Sequence, residues 1–153
     1  MYPQTHLLSG IVIGLAANQL GYLNVQETLA VPALTTLLDV DHYLFYSFKY
    51  KTLNFRKTWE AAVKNKETGE RTAIHHWLGF LCFTLLIIFL FYYYQPFGII
   101  LALSYYTHIL LDYLPIYGKK IKFKIFNLKF QLTTEEVALD CLFLLSCVIL
   151  LIR

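Results

Sequence analysis

The sequence predicts an all-α fold, an integral membrane bundle of about five helices that forms a single domain over residues 1–153. Hydrophobic residues make up 58% of the chain and the mean hydropathy is +0.53, whereas a globular domain is typically about 45–50% apolar. Two apolar runs, residues 77–94 without a charge and residues 137–152 interrupted only by Asp140, approach the roughly 17–25 residues that cross a bilayer. Turn signals separate these runs from three shorter helical segments.

Each predicted helix begins or ends at a recognisable signal. Gly21 ends the first helix, and Pro32 marks a kink or a late start in the second. Pro96 stops the third helix and Pro115 the fourth, while a capping box at residues 133–136 opens the last one. The five predicted helices therefore cover about residues 5–20, 26–42, 73–94 and 97–114, and the chain from 133 onward.

Two basic stretches connect these helices. Residues 48–71 include a possible short surface helix at 55–66, and residues 119–129 alternate Lys with Ile and Phe, as in a short hairpin or an interfacial segment. All but one of the 13 Lys and Arg residues lie in these two stretches. Since helices that alternate in direction place both stretches on one side, the positive-inside rule predicts a multi-pass inner-membrane protein whose basic loops face the cytoplasm. Two interpretations of these loops stay open: they only set the topology and contact anionic lipid headgroups, or they have a role in binding substrate.

Other features narrow the classes of function. The chain is expected to carry no cleaved signal peptide, because no Lys or Arg precedes Lys49. Cys82, Cys141 and Cys147 lie in apolar runs without CxxC spacing, which predicts neither a disulfide framework nor a cysteine metal site. Membrane lipids are the expected partners and nucleic acid is not expected. Oligomeric state is left open.

Ionisable residues gather at helix ends that share one face of the predicted bundle. They are His6, Asp39, Asp41, His42, Arg71, His75, His108, Asp112, Glu135, Glu136 and Asp140. The opposite end offers Glu27 with Asn, Gln and Tyr side chains. Near a membrane, ionisable groups persist where they pair, line a cavity or bind an ion. This clustering therefore predicts a site at the cytoplasmic helix ends.

The spacing within this cluster suits a divalent cation. His108 and Asp112 are four residues apart on one helix face, and Asp39 and His42 are three apart, with Asp41 as a bridging or supporting carboxylate. Imidazole and carboxylate ligands without thiolates favour zinc, with manganese or iron as alternatives, and one to three ions are possible. Each pair also has a plainer interpretation, as a helix-stabilising pair or as a helix end that meets water.

Nearby polar residues have simpler explanations. His76 follows His75 and precedes Trp77, so its side chain is expected at the lipid headgroups and outside the site. Glu135 and Glu136 are expected to cap the last helix.

Four short motifs occur along the chain in the order QTHLLSG, DVDH, ERTAIHH and THILLD. This ordered set resembles the family of inner-membrane, metal-dependent hydrolases named after the bacterial YdjM protein. The family shows His-Leu-Leu, Asp-x-Asp-His, His-Arg-Gly-x-Thr-His-Ser and Ser-His-x-x-x-Asp, and the resemblance spans about residues 4–118. This chain departs from the third motif, since it has Glu70, Thr72, Ile74 and His76 in place of His, Gly, Thr and Ser.

The resemblance implies a set of metal ligands. The family is grouped with zinc-dependent phospholipase C and P1-type nucleases, all-helical enzymes that hold several zinc ions. Carried onto this sequence, the ligands are His6, Asp39, Asp41, His42, His75, His108 and Asp112. Arg71 and His75 keep the family's interval, and Glu70 would supply a carboxylate where the family has an imidazole.

These features predict a membrane-bound, metal-dependent hydrolase of a phosphate ester, such as a phospholipid or a related amphiphile. Asp39 or Asp41 would orient a metal-activated water or accept its proton, with Glu70 as a weaker candidate base. Arg71 would bind a phosphate oxygen. The alternatives are a structural protein in which the ion ties helix ends together, and an ion or proton transporter.

Overall fold

The computed structural model describes residues 2–65, 72–114, 118–125 and 128–152. Within these ranges the chain forms seven α-helices, one short 3-10 helix and one hairpin. The helices are α1 (Pro3–Gln19), α2 (Val25–Leu37), α3 (Val40–Lys49), α4 (Phe55–Asn65), α5 (Trp77–Tyr93), α6 (Gln95–Tyr113) and α7 (Thr134–Ile152). The 3-10 helix is Ala73–His75, and the strands are β1 (Lys120–Ile125) and β2 (Leu128–Thr133).

Helices α1, α2 and α6 form the centre of the fold. A core of Ala17, Leu23, Val31 and Ile100 joins all three, and Ser104 of α6 donates a hydrogen bond of 3.1 Å to the carbonyl oxygen of Val31. A capping box starts α2, because Asn24 accepts from the amide of Glu27 at 2.9 Å and the Glu27 carboxylate accepts from the amide of Asn24 at 2.8 Å. These contacts fix α2 between the two helices that carry histidines His6 and His108.

The predicted second helix is two helices in the structure. Helix α2 ends at Leu37 and α3 begins at Val40, with Asp39 as its N-cap residue. Thr35 and Thr36 lie in the last turn of α2 and donate their hydroxyls to carbonyl oxygens four residues earlier, and such bonds often bend helices. Consequently Asp41 lies in the first turn of α3, where a carboxylate is favoured by the helix dipole, and not at a helix C-terminus as predicted.

The local predictions for the last third of the chain are confirmed. Strands β1 and β2 form an antiparallel hairpin with Lys120 opposite Thr133 and Ile125 opposite Leu128. The capping box at the start of α7 is present, since the amide of Glu136 donates to Thr133 at 3.1 Å and the Glu136 carboxylate accepts from the Thr133 amide at 3.0 Å.

The short helix that the sequence suggested at residues 55–66, in the middle of the chain, is also present as α4.

The prediction of bilayer-crossing helices is corrected by the structure. Among the described residues, no helix has both the length and the hydropathy needed to cross a membrane. Helix α5 ends after 17 residues, or about 26 Å, which is at the lower limit of the length that crosses a bilayer. Helix α6 carries His108 and Asp112 in its last turns, and α7 begins with Glu135, Glu136 and, one turn later, Asp140.

Candidate metal centre

Four segments bring seven ionisable side chains together at one end of the fold. His6 lies in the second turn of α1, and the α2–α3 junction carries Asp39, Asp41 and His42. The 3-10 helix contributes His75, and the last turns of α6 contribute His108 and Asp112. These side chains form two groups whose spacing suits a metal ion. The first group is His6, Asp39, His108 and Asp112. The second group is Asp41, His42 and His75.

The first group surrounds the carboxylate of Asp112. Its Oδ1 lies 3.1 Å from His6 Nε2, and its Oδ2 lies 3.3 Å from His108 Nε2. Asp39 approaches from the α2–α3 junction, with its Oδ1 3.9 Å from His6 Nε2. The rings of His6 and His108 stack with their centroids 4.1 Å apart. One candidate ligand atom from each of the four residues lies within 4.8 Å of the others.

The second group surrounds Asp41. Asp41 Oδ2 lies 3.5 Å from His75 Nδ1, and Asp41 Oδ1 lies 3.9 Å from His42 Nε2. The Thr72 hydroxyl hydrogen-bonds to Asp41 Oδ2 and lies 2.7 Å from His75 Nδ1. The rings of His42 and His75 are 4.9 Å apart.

His75 joins the two groups. Its Nε2 lies 2.7 Å from Asp112 Oδ2 and 3.2 Å from His108 Nε2. Because Asp112 Oδ1 faces His6 while Oδ2 faces His75 and His108, this one carboxylate contacts histidines of both groups. The seven residues therefore form one continuous cluster.

A backbone carbonyl fixes the orientation of His108. The ring nitrogen Nδ1 lies 3.0 Å from the carbonyl oxygen of Thr35, and a carbonyl can only accept, so Nδ1–H donates this hydrogen bond. The neutral ring then presents the lone pair of Nε2 to the cluster, as a metal-binding histidine does. Since Thr35 follows the core residue Val31 by one turn of α2, the helix core itself orients this imidazole.

Burial and neighbouring charges shift the pKa values in opposite directions. Burial and the nearby His6 lower the pKa of His108 to about 3, and burial also lowers the pKa of His42. For His75, burial alone would lower the pKa, but hydrogen bonds to Asp112 and Asp41 outweigh it and raise the pKa to about 9. Without a cation, His75 is therefore the protonated histidine among these three at neutral pH.

The carboxylates also differ from one another. Burial raises the pKa of Asp39 to about 6. Burial acts in the same direction on Asp41 and Asp112, yet hydrogen bonds to histidines prevail and lower both pKa values. His75 bonds to both carboxylates, and His6 bonds to Asp112 as well. Asp39 is thus the carboxylate whose proton affinity is closest to neutral pH.

The donor set fits a divalent cation. Asp39 Oδ2 and Asp41 Oδ1 are buried and have no hydrogen-bond partner among residues 2–65, 72–114, 118–125 and 128–152. An unpaired buried carboxylate oxygen is costly, and a cation removes that cost. The described ligand groups contain imidazole and carboxylate but no thiolate, which suits zinc, manganese or iron.

The arrangement differs from the sequence expectation in detail. Asp39 and His42 were expected to reach one cation or two adjacent ones, and they lie in the two different groups, since Asp39 faces His6 while His42 faces His75. His76 is exposed and lies outside both groups, as expected. Glu70 and Arg71 lie outside the described residues.

Two contributors to the cluster were not foreseen from the sequence. Thr72 binds both Asp41 and His75, and the one available signal was its position three residues before a histidine, a spacing that lets a hydroxyl reach the ring. Thr35 acts through its backbone carbonyl, which no residue type reveals.

Comparison with known proteins gives one family. The chain matches the family described as YdjM inner membrane protein over residues 1–151. Neither the curated proteins nor the solved structures include a significant match.

Proposed function

We propose, from the premise that the chain belongs to the YdjM inner membrane protein family, that it is a metal-dependent hydrolase of a phosphate ester, such as a phospholipid. The observation that carries this proposal is the pair of adjacent His and Asp groups joined through Asp112 and His75. Paired metal positions bridged by carboxylates are characteristic of enzymes that cleave phosphate esters.

The residues that would hold the ions are those of the two groups. His6, Asp39, His108 and Asp112 would hold one ion, and Asp41, His42 and His75 a second. A divalent cation bound in this way, zinc foremost, supplies a water whose pKa falls to about 7 and polarises a phosphoryl oxygen. The short contact of His75 with Asp112 supports a site that both ions would share.

Asp39 is the proposed proton acceptor. In the metal-free protein, burial raises the pKa of Asp39 to about 6, so its affinity for a proton is higher than that of Asp41 or Asp112. Its buried Oδ2 also has no hydrogen-bond partner within the described part of the chain, so this oxygen is available for a proton. Asp41, whose pKa is lowered by its histidine and threonine contacts, is a better ligand than base.

Glu70 and Arg71 keep the roles that the sequence suggests. Arg71 is proposed to bind a non-bridging phosphate oxygen through its planar set of donors, and Glu70 to serve as a second, weaker base. Both proposals rest on the ERTAIHH motif alone, which places these residues four and five positions before His75.

An amphiphilic substrate is supported by the exposed apolar surface of α5 and α7. Helix α5 buries Ile87 but exposes most of its large apolar side chains, and α7 exposes a similar set. The most exposed of these are Trp77, Ile88, Tyr92, Tyr93, Leu151 and Ile152. Extended apolar surface of this kind marks contact with lipid or protein. Together with the family's description as an inner membrane protein, it supports membrane lipids as partners. That the basic loops face the cytoplasm is a separate proposal, which rests on the charge pattern of the sequence.

The test measures bound metal before activity. Elemental analysis of the purified protein should find stoichiometric zinc, manganese or iron, and His108→Ala and Asp112→Ala should reduce it severalfold. His76→Ala is the matched control, because His76 is a neighbouring histidine outside both groups. Phospholipid vesicles and a chromogenic phosphodiester then serve as substrates, with zinc or manganese added.

The outcomes of these measurements decide whether the protein is a metal-dependent hydrolase. Hydrolysis that requires metal and is lost in Asp112→Ala supports a hydrolase. A wild-type protein that holds no metal and cleaves neither substrate contradicts it. Retained hydrolysis in Asp112→Ala would also contradict the assigned centre.

A structural metal site is the second candidate. The observation that favours it is burial, since the side chains of His6 and His108 are fully buried and His75 is 5% exposed. Closed coordination without an open position for water is typical of structural sites. Chelation would then lower the melting temperature while no substrate is cleaved in either state.

A further inference from the structure

Two tyrosines of α6 hold the turn that carries His75. The hydroxyl of Tyr105 donates a hydrogen bond of 3.0 Å to the carbonyl oxygen of Ile74. The hydroxyl of Tyr113 donates one of 2.9 Å to the carbonyl oxygen of His75 itself. Helix α5 begins at Trp77, and its first turn bonds to the carbonyl of His76. The carbonyl oxygens of Ile74 and His75, which come just before this helix, therefore face α6 and accept hydrogen bonds from its two phenols.

The same helix also supplies two members of the cluster. His108 and Asp112 lie between Tyr105 and Tyr113 in α6, and the Asp112 carboxylate meets His75 Nε2 at 2.7 Å. Helix α6 thus contacts both the backbone and the side chain of His75. The positions of His75, His108 and Asp112 relative to one another are therefore set by α6 and by the 3-10 helix that is bound to it.

The turn is short. It is a three-residue 3-10 helix, in which the amide of His75 donates to the carbonyl of Thr72 at 3.1 Å. Short 3-10 helices have poor hydrogen-bond geometry and depend on their surroundings. Two phenol–carbonyl bonds from a long helix provide such surroundings.

We propose that Tyr105 and Tyr113 are positioning residues that fix the imidazole of His75 against Asp112 for the binding of a divalent cation. The cation part of this inference rests on the proposed function. Tyr105 is fully buried and its ring stacks on Phe83 with centroids 4.4 Å apart, so its hydroxyl has a fixed direction. Tyr113 is half exposed and acts directly on the residue that carries the ligand.

The hydroxyl of Tyr105 remains a donor over the physiological range, because burial raises its pKa to about 12. Removal of either hydroxyl leaves a carbonyl of the turn without its phenol partner. Loss of a group that orients a metal ligand typically reduces metal affinity by about 10–100-fold.

The experiment compares Tyr105→Phe and Tyr113→Phe with Tyr106→Phe. Tyr106 is the matched control, since it lies on the same helix but its hydroxyl donates to Thr84 of α5 at 3.1 Å and not to the turn. Each variant is titrated with cobalt(II), whose visible absorption reports the ligand geometry, and the imidazole NMR signals of His75 are recorded in metal-free protein. The Tyr113→Phe change is repeated in a His75→Ala background.

A positioning role predicts a specific pattern. Tyr113→Phe should weaken cobalt binding about tenfold, alter its absorption spectrum and shift the His75 signals, with a smaller effect for Tyr105→Phe and none for Tyr106→Phe. In the His75→Ala background, Tyr113→Phe should cause no further loss, because the residue that it positions is gone. A purely structural tyrosine would instead weaken binding equally in both backgrounds.

The result that overturns the inference is distinct from failure of the proposed function. Unchanged His75 signals in both tyrosine variants, or an equal loss of affinity in both backgrounds, would refute the positioning role. Should the wild-type protein bind no cobalt, the proposed function fails, and the His75 signals of the metal-free variants still decide whether the tyrosines position this ring. If Tyr105→Phe does not fold, Tyr113→Phe provides the decision, because its ring is at the surface.

Discussion

Replacement of Asp112 by Asn should remove the interaction that holds the metal-free cluster together. The change keeps the shape of the side chain but removes the charge that faces His6, His75 and His108 at 3.1, 2.7 and 3.3 Å. Hydrogen bonds to Asp112 and Asp41, with Asp112 the larger contributor, raise the pKa of His75 from 6.5 to about 9. With about 1.4 kcal/mol for each unit of pKa, the two carboxylates favour the protonated ring by about 3 kcal/mol.

The expected loss follows from this energy. Asp112→Asn should lower the free energy of unfolding of metal-free protein at pH 7 by about 2–3 kcal/mol, close to the cost of removing one partner of a buried ion pair. The pKa of His75, followed by NMR, should fall toward 6.5, since burial continues to disfavour its charge while the main opposing group is lost. Urea unfolding at pH 7 measures the stability.

Asp140→Asn is the control for this experiment. Asp140 is a carboxylate of α7 outside both groups, and burial already raises its pKa, so a neutral amide should cost little there. If Asp112→Asn were as stable as Asp140→Asn and His75 kept its raised pKa, the charge of Asp112 would not be what stabilises the metal-free cluster, and the prediction would be refuted.

Three further predictions concern pH, helix packing and capping. Because the folded-state pKa of His75 is raised from 6.5 to about 9, its contribution to the stability of metal-free protein is complete below pH 6.5 and is lost as the pH rises toward 9. Urea titrations across this window should show the decline, and His75→Gln should flatten it; an equal slope in both proteins would argue against the assignment. Gly10→Ala should lower the unfolding free energy by about 1–3 kcal/mol, since a Cβ at residue 10 would lie 2.6 Å from the Cα of Pro32, and an unchanged melting curve would contradict this. Thr133→Ala should cost about 1 kcal/mol through loss of the α7 cap, whereas Ser146→Ala, an exposed hydroxyl on the same helix, should be neutral; equal thermal stability of the two would exclude the capping role.

Features governed by neighbouring residues could be predicted from the sequence. The capping box at Thr133 and the hairpin before it depend on contacts within a few positions, and both were identified. The break between α2 and α3 was missed, because no glycine or proline marks it, and Thr35 and Thr36, whose hydroxyl bonds weaken the last turn of α2, are residues that also occur inside helices. Propensity alone does not reveal such a break.

The composition of the site was easier to foresee than its geometry. Helix punctuation was enough to bring His6, His75 and His108 to one end of the fold. The pairing of Asp39 with His6 depends on how α1 and α2 pack across many residues of intervening chain, and spacing along the sequence carries no such information. The phenol–carbonyl bonds of Tyr105 and Tyr113 were hidden for the same reason, since their partners are backbone atoms.

The close crossing of α1 and α2 sets the width of the candidate centre. Gly10 lies one turn after His6, and the backbone of Pro32 and the Thr35 hydroxyl fill the space where its side chain would be. Thr35 also holds His108, so a wider crossing would move imidazoles on both sides of the cluster. A few tenths of an ångström decide which cation radius suits a rigid set of ligands. Gly10 does not belong to the cluster, yet it would tune the selectivity of a bound ion, and small-to-large changes along this crossing offer a way to alter the preferred metal without replacing any of the seven candidate ligands.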